Sequence, residues 1–135
     1  MNIHLVMTTI RVPIVLQEYV KLQGADEITW HIVGDRKSPD TIPAFLATLA
    51  VKPDRMYYYD PAWMGEHGYS LPLHMNENHD GLRAVGFLEA VRLGAEAVIT
   101  VDDDNSPHPN FFAAYQKVFD PREMFVRNGG WVISL

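Results

Sequence analysis

Residues 96–110 read Glu-Ala-Val-Ile-Thr-Val-Asp-Asp-Asp-Asn-Ser-Pro-His-Pro-Asn, and the rest of the chain can be arranged around them. The apolar, β-branched run from Ala97 to Val101 is typical of a strand that is buried on both faces. Three carboxylates follow this strand directly, those of Asp102, Asp103 and Asp104. Adjacent carboxylates repel one another and lose hydration when buried, so their position at a strand tip predicts a cation, either Mn²⁺ or Mg²⁺. The alternative interpretation is a solvated acidic turn that caps a helix beginning near Pro109.

The segments around this strand alternate between strand-like and helix-like patterns. Short β-branched or aromatic runs predict strands at residues 3–9, 28–34, 55–59 and 97–101, and residues 129–133 look like the start of one more. Apolar residues at helical spacing predict helices at residues 13–24, 42–49, 79–94 and 109–118. In the helix at 79–94, the predicted apolar face consists of Ala84, Phe87, Leu88, Val91 and Ala95. Residues 61–79 show no clear periodicity and predict a long loop.

This alternation predicts an α/β fold with three layers. Right-handed βαβ units give a mainly parallel sheet with helices on both faces, for which we expect the strand order 3-2-1-4. In open sheets of this kind, ligands bind outside the carboxyl ends of the strands, where the strand order reverses. The reversal falls between the first and fourth strands. We therefore expect one crevice that gathers Thr8, Thr9, Asp35 and the three aspartates.

Composition narrows the class of protein. The chain has 135 residues, enough for a single domain with a buried core. Its formal net charge of −6 gives no sign of binding to nucleic acid, and the absence of cysteine excludes disulfides and thiolate metal sites. No apolar run approaches the roughly 20 residues that a transmembrane helix needs. The N-terminus lacks the pattern of a signal peptide, so we expect a cytoplasmic protein.

Three histidines lie in or beside the long loop, at positions 67, 74 and 79. Their spacings match no common zinc-binding pattern. We therefore interpret His67, His74 and His79 as ordinary loop histidines.

Three runs together resemble the donor-binding half of glycosyltransferases of the GT-A fold. They are residues 83–90, Arg-Ala-Val-Gly-Phe-Leu-Glu-Ala, then Gly94-Ala95, then residues 98–105, Val-Ile-Thr-Val-Asp-Asp-Asp-Asn. In the large inverting family of that fold, an arginine opens a helix that ends in a glycine, and the next strand ends in an Asp-X-Asp motif. The Asp-Asp-Asp-Asn version is similar to that of the reversibly glycosylated polypeptides and their bacterial relatives. The resemblance spans residues 3–110.

The resemblance implies binding of a nucleotide-diphosphate sugar, with a UDP-sugar favoured. Thr8 and Thr9 would line the base pocket, Asp35 would hydrogen-bond the base or ribose, and Arg83 would meet the donor diphosphate. From the residues alone, other interpretations stay open. Arg83 also fits a surface helix position, Asp35 a turn residue that caps the following amides, and the two threonines plain strand ends.

The resemblance also implies how the acidic triplet works. Asp104 would ligate Mn²⁺ or Mg²⁺, and Asp102, the first acid of the motif, would join it directly or through water. Asp103 would bind the ribose or assist the metal. A divalent ion that bridges both phosphates neutralises the charge that builds on the leaving nucleoside diphosphate.

The sequence departs from the family pattern in two ways. Ala84 stands where the family commonly has an asparagine after the helix arginine. The acceptor-binding half and the general base of inverting members follow the donor half, beyond Leu135, and nothing marks Glu123 as that base. We therefore expect residues 1–135 to be a single donor-binding domain, truncated before the acceptor half. Sugar transfer would then need a partner chain or a second copy of this chain.

Other classes of protein remain as alternatives. A non-catalytic nucleotide-sugar-binding module, or an inactive fragment, would use the same crevice. A sugar-nucleotide pyrophosphorylase should carry a glycine-rich phosphate loop after the first strand, and residues 8–13 contain no glycine. A receiver-type phospho-acceptor domain is disfavoured because its acidic cluster would follow the first strand.

Overall fold

The structure is a computed structural model that describes residues 1–69, 80–119 and 133–134. Its strands are β1 (Ile3–Thr9), β2 (Thr29–Gly34), β3 (Met56–Tyr59), β4 (Ala97–Asp102) and β5 (Ile133–Ser134). Its α-helices are α1 (Leu16–Tyr19), α2 (Ile42–Ala47), α3 (Pro61–Glu66), α4 (Asp80–Arg92) and α5 (Phe111–Val118). Short 3₁₀ turns occupy Ala25–Glu27 and Pro53–Arg55.

The strands form one sheet in the order β3-β2-β1-β4-β5. β3, β2, β1 and β4 run parallel to one another, which confirms the α/β class and the predicted order 3-2-1-4. β5 pairs with β4 in the antiparallel direction. Of the last predicted strand, residues 129–132 lie outside the described ranges. The sheet therefore places the carboxyl ends of β1, β2 and β4 along one edge.

One face of the sheet packs against α1, α2 and α5. Alternate strand residues point to this side, and they form the larger hydrophobic core with side chains of the three helices. At its centre, the Trp30 ring lies 5.8 Å from the Phe112 ring at an interplanar angle of 89°. Edge-to-face pairs of this kind add about 0.5–1.5 kcal/mol beyond the area that they bury. This core fixes α5 and the loop that leads to it after the aspartate triplet.

The opposite face packs against α3 and α4, which completes the three layers. α4 comes closest at Gly86, where an added Cβ would collide with Val6 and would lie 3.1 Å from Val33 Cγ2. A glycine is needed there because the helix backbone almost touches two strands. The helix that carries Arg83 is thus held directly over β1 and β2.

The predicted apolar face of α4 is wrong in part. Leu88 and Val91 are 55% and 52% exposed, and Ala84 is exposed as well, whereas Phe87 and Ala95 are partly buried. The side that contacts the sheet is instead formed by Leu82, Val85, Gly86, Glu89 and Ala90. The helix is rotated from its predicted orientation because Gly86 permits the closest approach and because Glu89 is buried with polar partners.

Two further elements differ from prediction. The segment after Pro13 buries Val15, Leu16 and Tyr19 as expected, but its hydrogen bonds are largely of the i→i+3 type, so regular α-helix is confined to Leu16–Tyr19. α3 lies inside the stretch predicted as a loop. Its start is explained by Asp60, whose carboxylate accepts a hydrogen bond from Trp63 N at 2.8 Å. No helix in the described ranges is both long and apolar enough to cross a membrane.

Candidate functional site

A cleft of about 300 Å³ opens at the carboxyl edge of the sheet, at the ends of β1 and β4. It is lined by all the residues that were predicted to bind the nucleotide sugar or the metal: Thr8, Thr9, Asp35, Arg83, Asp102, Asp103 and Asp104. Ile10, Arg11, Val33 and Leu82 complete its walls. The convergence follows from register, since Thr8 lies opposite Asp102 across the β1–β4 pair. With two arginines and four aspartates, the cleft carries a formal charge of −2.

Asp103 is the most enclosed of the triplet, with its side chain only 12% exposed. The Thr9 hydroxyl lies 2.7 Å from Asp103 Oδ2 and 2.6 Å from the carbonyl oxygen of Arg11, and its single proton serves one acceptor at a time. The Arg11 guanidinium adds an ion pair, with Nε 3.4 Å from the same carboxylate oxygen. Asp103 therefore ties the tip of β4 to the end of β1.

Asp102 faces Arg83 across the cleft. Arg83 Nη2 donates to Asp102 Oδ1 at 2.6 Å and to the Thr8 hydroxyl at 3.3 Å. The Arg83 side chain is 27% exposed and that of Asp102 is 57% exposed, so water weakens the attraction of this pair. Beneath it, Arg83 Nε is buried without a hydrogen-bond partner in the described part of the chain. A donor left in that state costs about 1–3 kcal/mol.

Asp35 ends β2 at the cleft wall and shapes the loop that follows. Its carboxylate accepts a hydrogen bond from Lys37 N at 2.7 Å, as in the turn-capping alternative that the sequence left open. The Ser38 hydroxyl accepts from Asp35 N at 2.8 Å and donates to the Thr9 carbonyl oxygen at 2.7 Å. These bonds hold Asp35, which is 5% exposed, beside β1.

The loop after the triplet is anchored by Tyr19. Its hydroxyl donates to the Asn105 carbonyl oxygen at 3.0 Å. Burial, followed by the charges of Tyr115, Glu18 and Asp102, raises the pKa of Tyr19 to about 12, so the phenol keeps its proton at neutral pH. The position of Asp104 thus depends on a contact with the helical layer.

A divalent cation fits these donor groups only if a bound phosphate and water supply the rest of its coordination shell. Within the described ranges, no three carboxylate or imidazole groups converge as a ready-made metal site. The side chains of Asp102 and Asp104 are exposed, although Asp102 Oδ1 is bonded by Arg83, whereas Asp103 is enclosed and engaged by Thr9 and Arg11. Mg²⁺ and similar ions commonly take one or two protein carboxylates and fill their shell with water and substrate phosphate. The residues therefore suit a cation held jointly with a phosphorylated ligand.

Arg11 is a cleft residue that the sequence interpretation missed. It lies two positions beyond the carboxyl end of β1, on the same edge as the triplet. Its charge and its place in chain order were the available signals. Of the loop histidines, His67 stacks on Trp63 with ring centroids 4.0 Å apart, while His74 and His79 lie outside the described residues.

A second polar cluster is buried under α4, away from the cleft. His4 Nδ1 lies 2.8 Å from His31 Nε2, and His31 Nδ1 lies 2.8 Å from the Tyr59 hydroxyl, so the three side chains form a hydrogen-bonded row. Burial, followed by the charge of His4, lowers the pKa of His31 to about 3. Burial likewise lowers the pKa of His4. Both rings are therefore neutral near pH 7.

Glu89 lies beside this row and is 3% exposed. The Tyr69 hydroxyl donates to Glu89 Oε1 at 2.7 Å, and Arg92 Nε donates to Oε2 at 2.8 Å. Burial alone would raise the pKa of Glu89, but the hydrogen bonds from Arg92 and Tyr69 outweigh it and hold the pKa below its usual value. The carboxylate is thus kept ionised, and it connects α4 to the segment after α3.

No known protein family matches the chain in a comparison with family profiles, and no curated protein shows significant similarity to it.

Proposed function

We infer that this chain is a GT-A-like donor-binding domain of a glycosyltransferase. It would bind a nucleotide-diphosphate sugar, preferably a UDP-sugar, together with Mn²⁺ or Mg²⁺. The observation that supports this most is the cleft at the strand-order reversal, where the aspartate triplet, Arg83, Asp35 and the two threonines meet. Sequence resemblance and sheet topology lead independently to the threonines, Asp35 and the aspartates, and the resemblance adds Arg83.

Each wall of the cleft offers chemistry that suits one part of this ligand. Arg83 presents a permanent positive charge for the diphosphate, and a planar guanidinium matches phosphate oxygens. Thr8 and Thr9 line the cleft beside Asp35, which would take the base or ribose. Asp102 and Asp104 would hold the cation. When bound, the cation would neutralise charge on the departing nucleoside diphosphate.

Donor binding without catalysis is the second candidate, and one observation favours it. Three of the four cleft carboxylates already have partners: Asp35 has Lys37 N, Asp102 has Arg83, and Asp103 has Thr9 and Arg11. None of these three is presented as a free base for an acceptor hydroxyl, as an inverting transfer requires. We therefore assign donor binding to this chain and assign no general base.

Calorimetry tests the proposal. UDP, GDP and dTDP would each be titrated into the protein with and without Mn²⁺, and we expect the tightest binding for UDP with Mn²⁺. Asp104→Asn should remove most of the dependence on Mn²⁺. Asp26→Asn, which changes an exposed acid outside the cleft, should not. Equal UDP affinity with Mn²⁺ and with EDTA would refute the role of the metal, and no nucleotide binding under either condition would refute the function.

A further inference from the structure

Arg83 forms an ion pair with Asp102, which is one of the two carboxylates that would hold the cation in the proposed function. Arg83 Nη2 contacts Asp102 Oδ1 at 2.6 Å, at the mouth of the cleft that Asp104 also lines. A guanidinium and a divalent ion are both cations, so they repel each other when both contact one carboxylate. Arg83 therefore neutralises the charge of Asp102 within the cleft.

Because the residue is an arginine, its repulsion of a cation cannot be relieved by loss of a proton. A lysine or histidine in the same place could lose its proton as a metal arrives, but a guanidinium stays charged in proteins. The positive charge can leave Asp102 only if the side chain moves to another anion. A diphosphate beside the aspartates is such an anion, and it accepts the paired N–H groups of arginine in a bidentate manner.

The unpartnered Nε of Arg83 also favours a phosphate ligand for this side chain. This atom is buried and has no hydrogen-bond partner in the part of the chain that the structure describes. The pair with Asp102 uses Nη2 and leaves Nε unsatisfied. A phosphate group that reached both Nε and a terminal nitrogen would give this donor a partner.

We propose that Arg83 is an exchangeable counter-ion, which pairs with Asp102 before ligands bind and transfers to the diphosphate when a divalent cation takes Asp102. This step rests on the proposed function and specifies how its site is regulated. Cation and diphosphate then bind cooperatively, because each removes the obstacle to the other. The cation alone binds weakly, since it must displace Arg83 with no anion to receive the guanidinium.

Arg83→Gln separates this exchange from a merely structural role, because it moves two affinities in opposite directions. Mn²⁺ binding would be measured by the loss of the free-ion EPR signal, with Mn²⁺ alone and with inorganic pyrophosphate, after subtraction of the complex that the two form without protein. Relative to wild type, the variant should bind Mn²⁺ alone more tightly and pyrophosphate with Mn²⁺ more weakly. Each change should fall within the range of about 5- to 150-fold that is typical of coupled sites.

Three controls sharpen the result. Lys117→Gln removes the same charge from an exposed position outside the cleft, and it should change neither affinity. Arg83→Lys keeps a positive charge beside Asp102, but an ammonium can lose its proton, so its affinity for Mn²⁺ alone should lie between those of wild type and Arg83→Gln. The third is a measurement on wild type alone, which needs no variant to fold: pyrophosphate should raise its affinity for Mn²⁺.

The outcomes distinguish this exchange from the proposed function. If Arg83→Gln binds Mn²⁺ no more tightly than wild type, or if wild type shows no coupling between Mn²⁺ and pyrophosphate, the exchange is refuted. UDP binding with Mn²⁺ would still support the function in that case. If the variant shows both opposite changes while wild type binds no UDP, the exchange stands and the nucleotide-sugar assignment fails.

Discussion

Acid sensitivity should arise from the buried row of His4, His31 and Tyr59. His31 is 0% exposed, and its pKa falls from an ordinary value of 6.5 to about 3. Between these values, the unfolded chain binds a proton at His31 that the folded protein does not bind. Stability is therefore present above pH 6.5 and is lost as the pH falls, at up to about 1.4 kcal/mol per unit. From pH 7 to pH 5, His31 alone should cost about 2 kcal/mol.

Between pH 7 and pH 5, the change in stability comes mainly from the two buried histidines. The pKa of Glu89 lies below its ordinary value of 4.5, so its contribution to stability is lost only in more acidic solution. The pKa of His4 is lowered as well, so His4 adds to the loss in the same direction. Few ordinary carboxylates titrate between pH 5 and pH 7. A change in unfolding free energy across this range therefore reports mainly on the buried pair.

Urea unfolding at pH 7 and pH 5, followed by tryptophan fluorescence, measures the effect. Wild type should lose about 2 kcal/mol or more between the two pH values. His31→Gln keeps a hydrogen-bonding side chain without a titrating ring, so it should lose clearly less. His108→Gln, at an exposed position, should behave as wild type does. Equal stability of wild type at both pH values, or an undiminished loss in His31→Gln, would refute the reasoning.

Two further predictions concern packing and the loop after the triplet. Gly86→Val should lower the free energy of unfolding by about 1–3 kcal/mol, because the new side chain collides with Val6. Ala84→Val on the exposed side of α4 should change it by only about 0.5 kcal/mol in urea unfolding; similar losses in both variants would contradict the observed orientation of α4. Tyr19→Phe should cost about 1 kcal/mol and weaken UDP binding with Mn²⁺ in calorimetry, since the Asn105 carbonyl loses its donor. An unchanged UDP affinity would show that this anchor does not position the triplet.

The sheet was predictable because its strands carry strong local signals. β1 is bounded by Ile3 and Thr9 as predicted, and the other parallel strands differ from prediction by about one residue at an end. Their runs are apolar and β-branched because helices cover both faces. The cleft was predictable for a related reason. In a parallel sheet of the predicted order, the carboxyl ends of the strands lie at the same edge. The polar residues that follow those strands are therefore close together.

The orientation of α4 was not predictable from periodicity. Counting apolar residues favoured the side of Leu88 and Val91, which the structure exposes. Two tertiary effects outweighed that pattern. Gly86 lets the helix approach the strands, and Glu89 is stabilised in a buried position by hydrogen bonds from Tyr69 and Arg92. The strand residues that Gly86 meets and the Tyr69 hydroxyl that bonds Glu89 are distant in sequence, so a local pattern does not include them.

The central claim is that a divalent cation and a nucleoside diphosphate bind together at the aspartate triplet. Paramagnetic broadening of backbone amide NMR signals by Mn²⁺ tests its location most directly. With UDP present, the signals of Thr9, Asp103 and Asp104 should broaden first. Those of Ile3 and Ala97, roughly 20 Å away at the other ends of β1 and β4, should broaden last. Broadening centred on another part of the chain, or none with UDP and Mn²⁺ together, would contradict the claim.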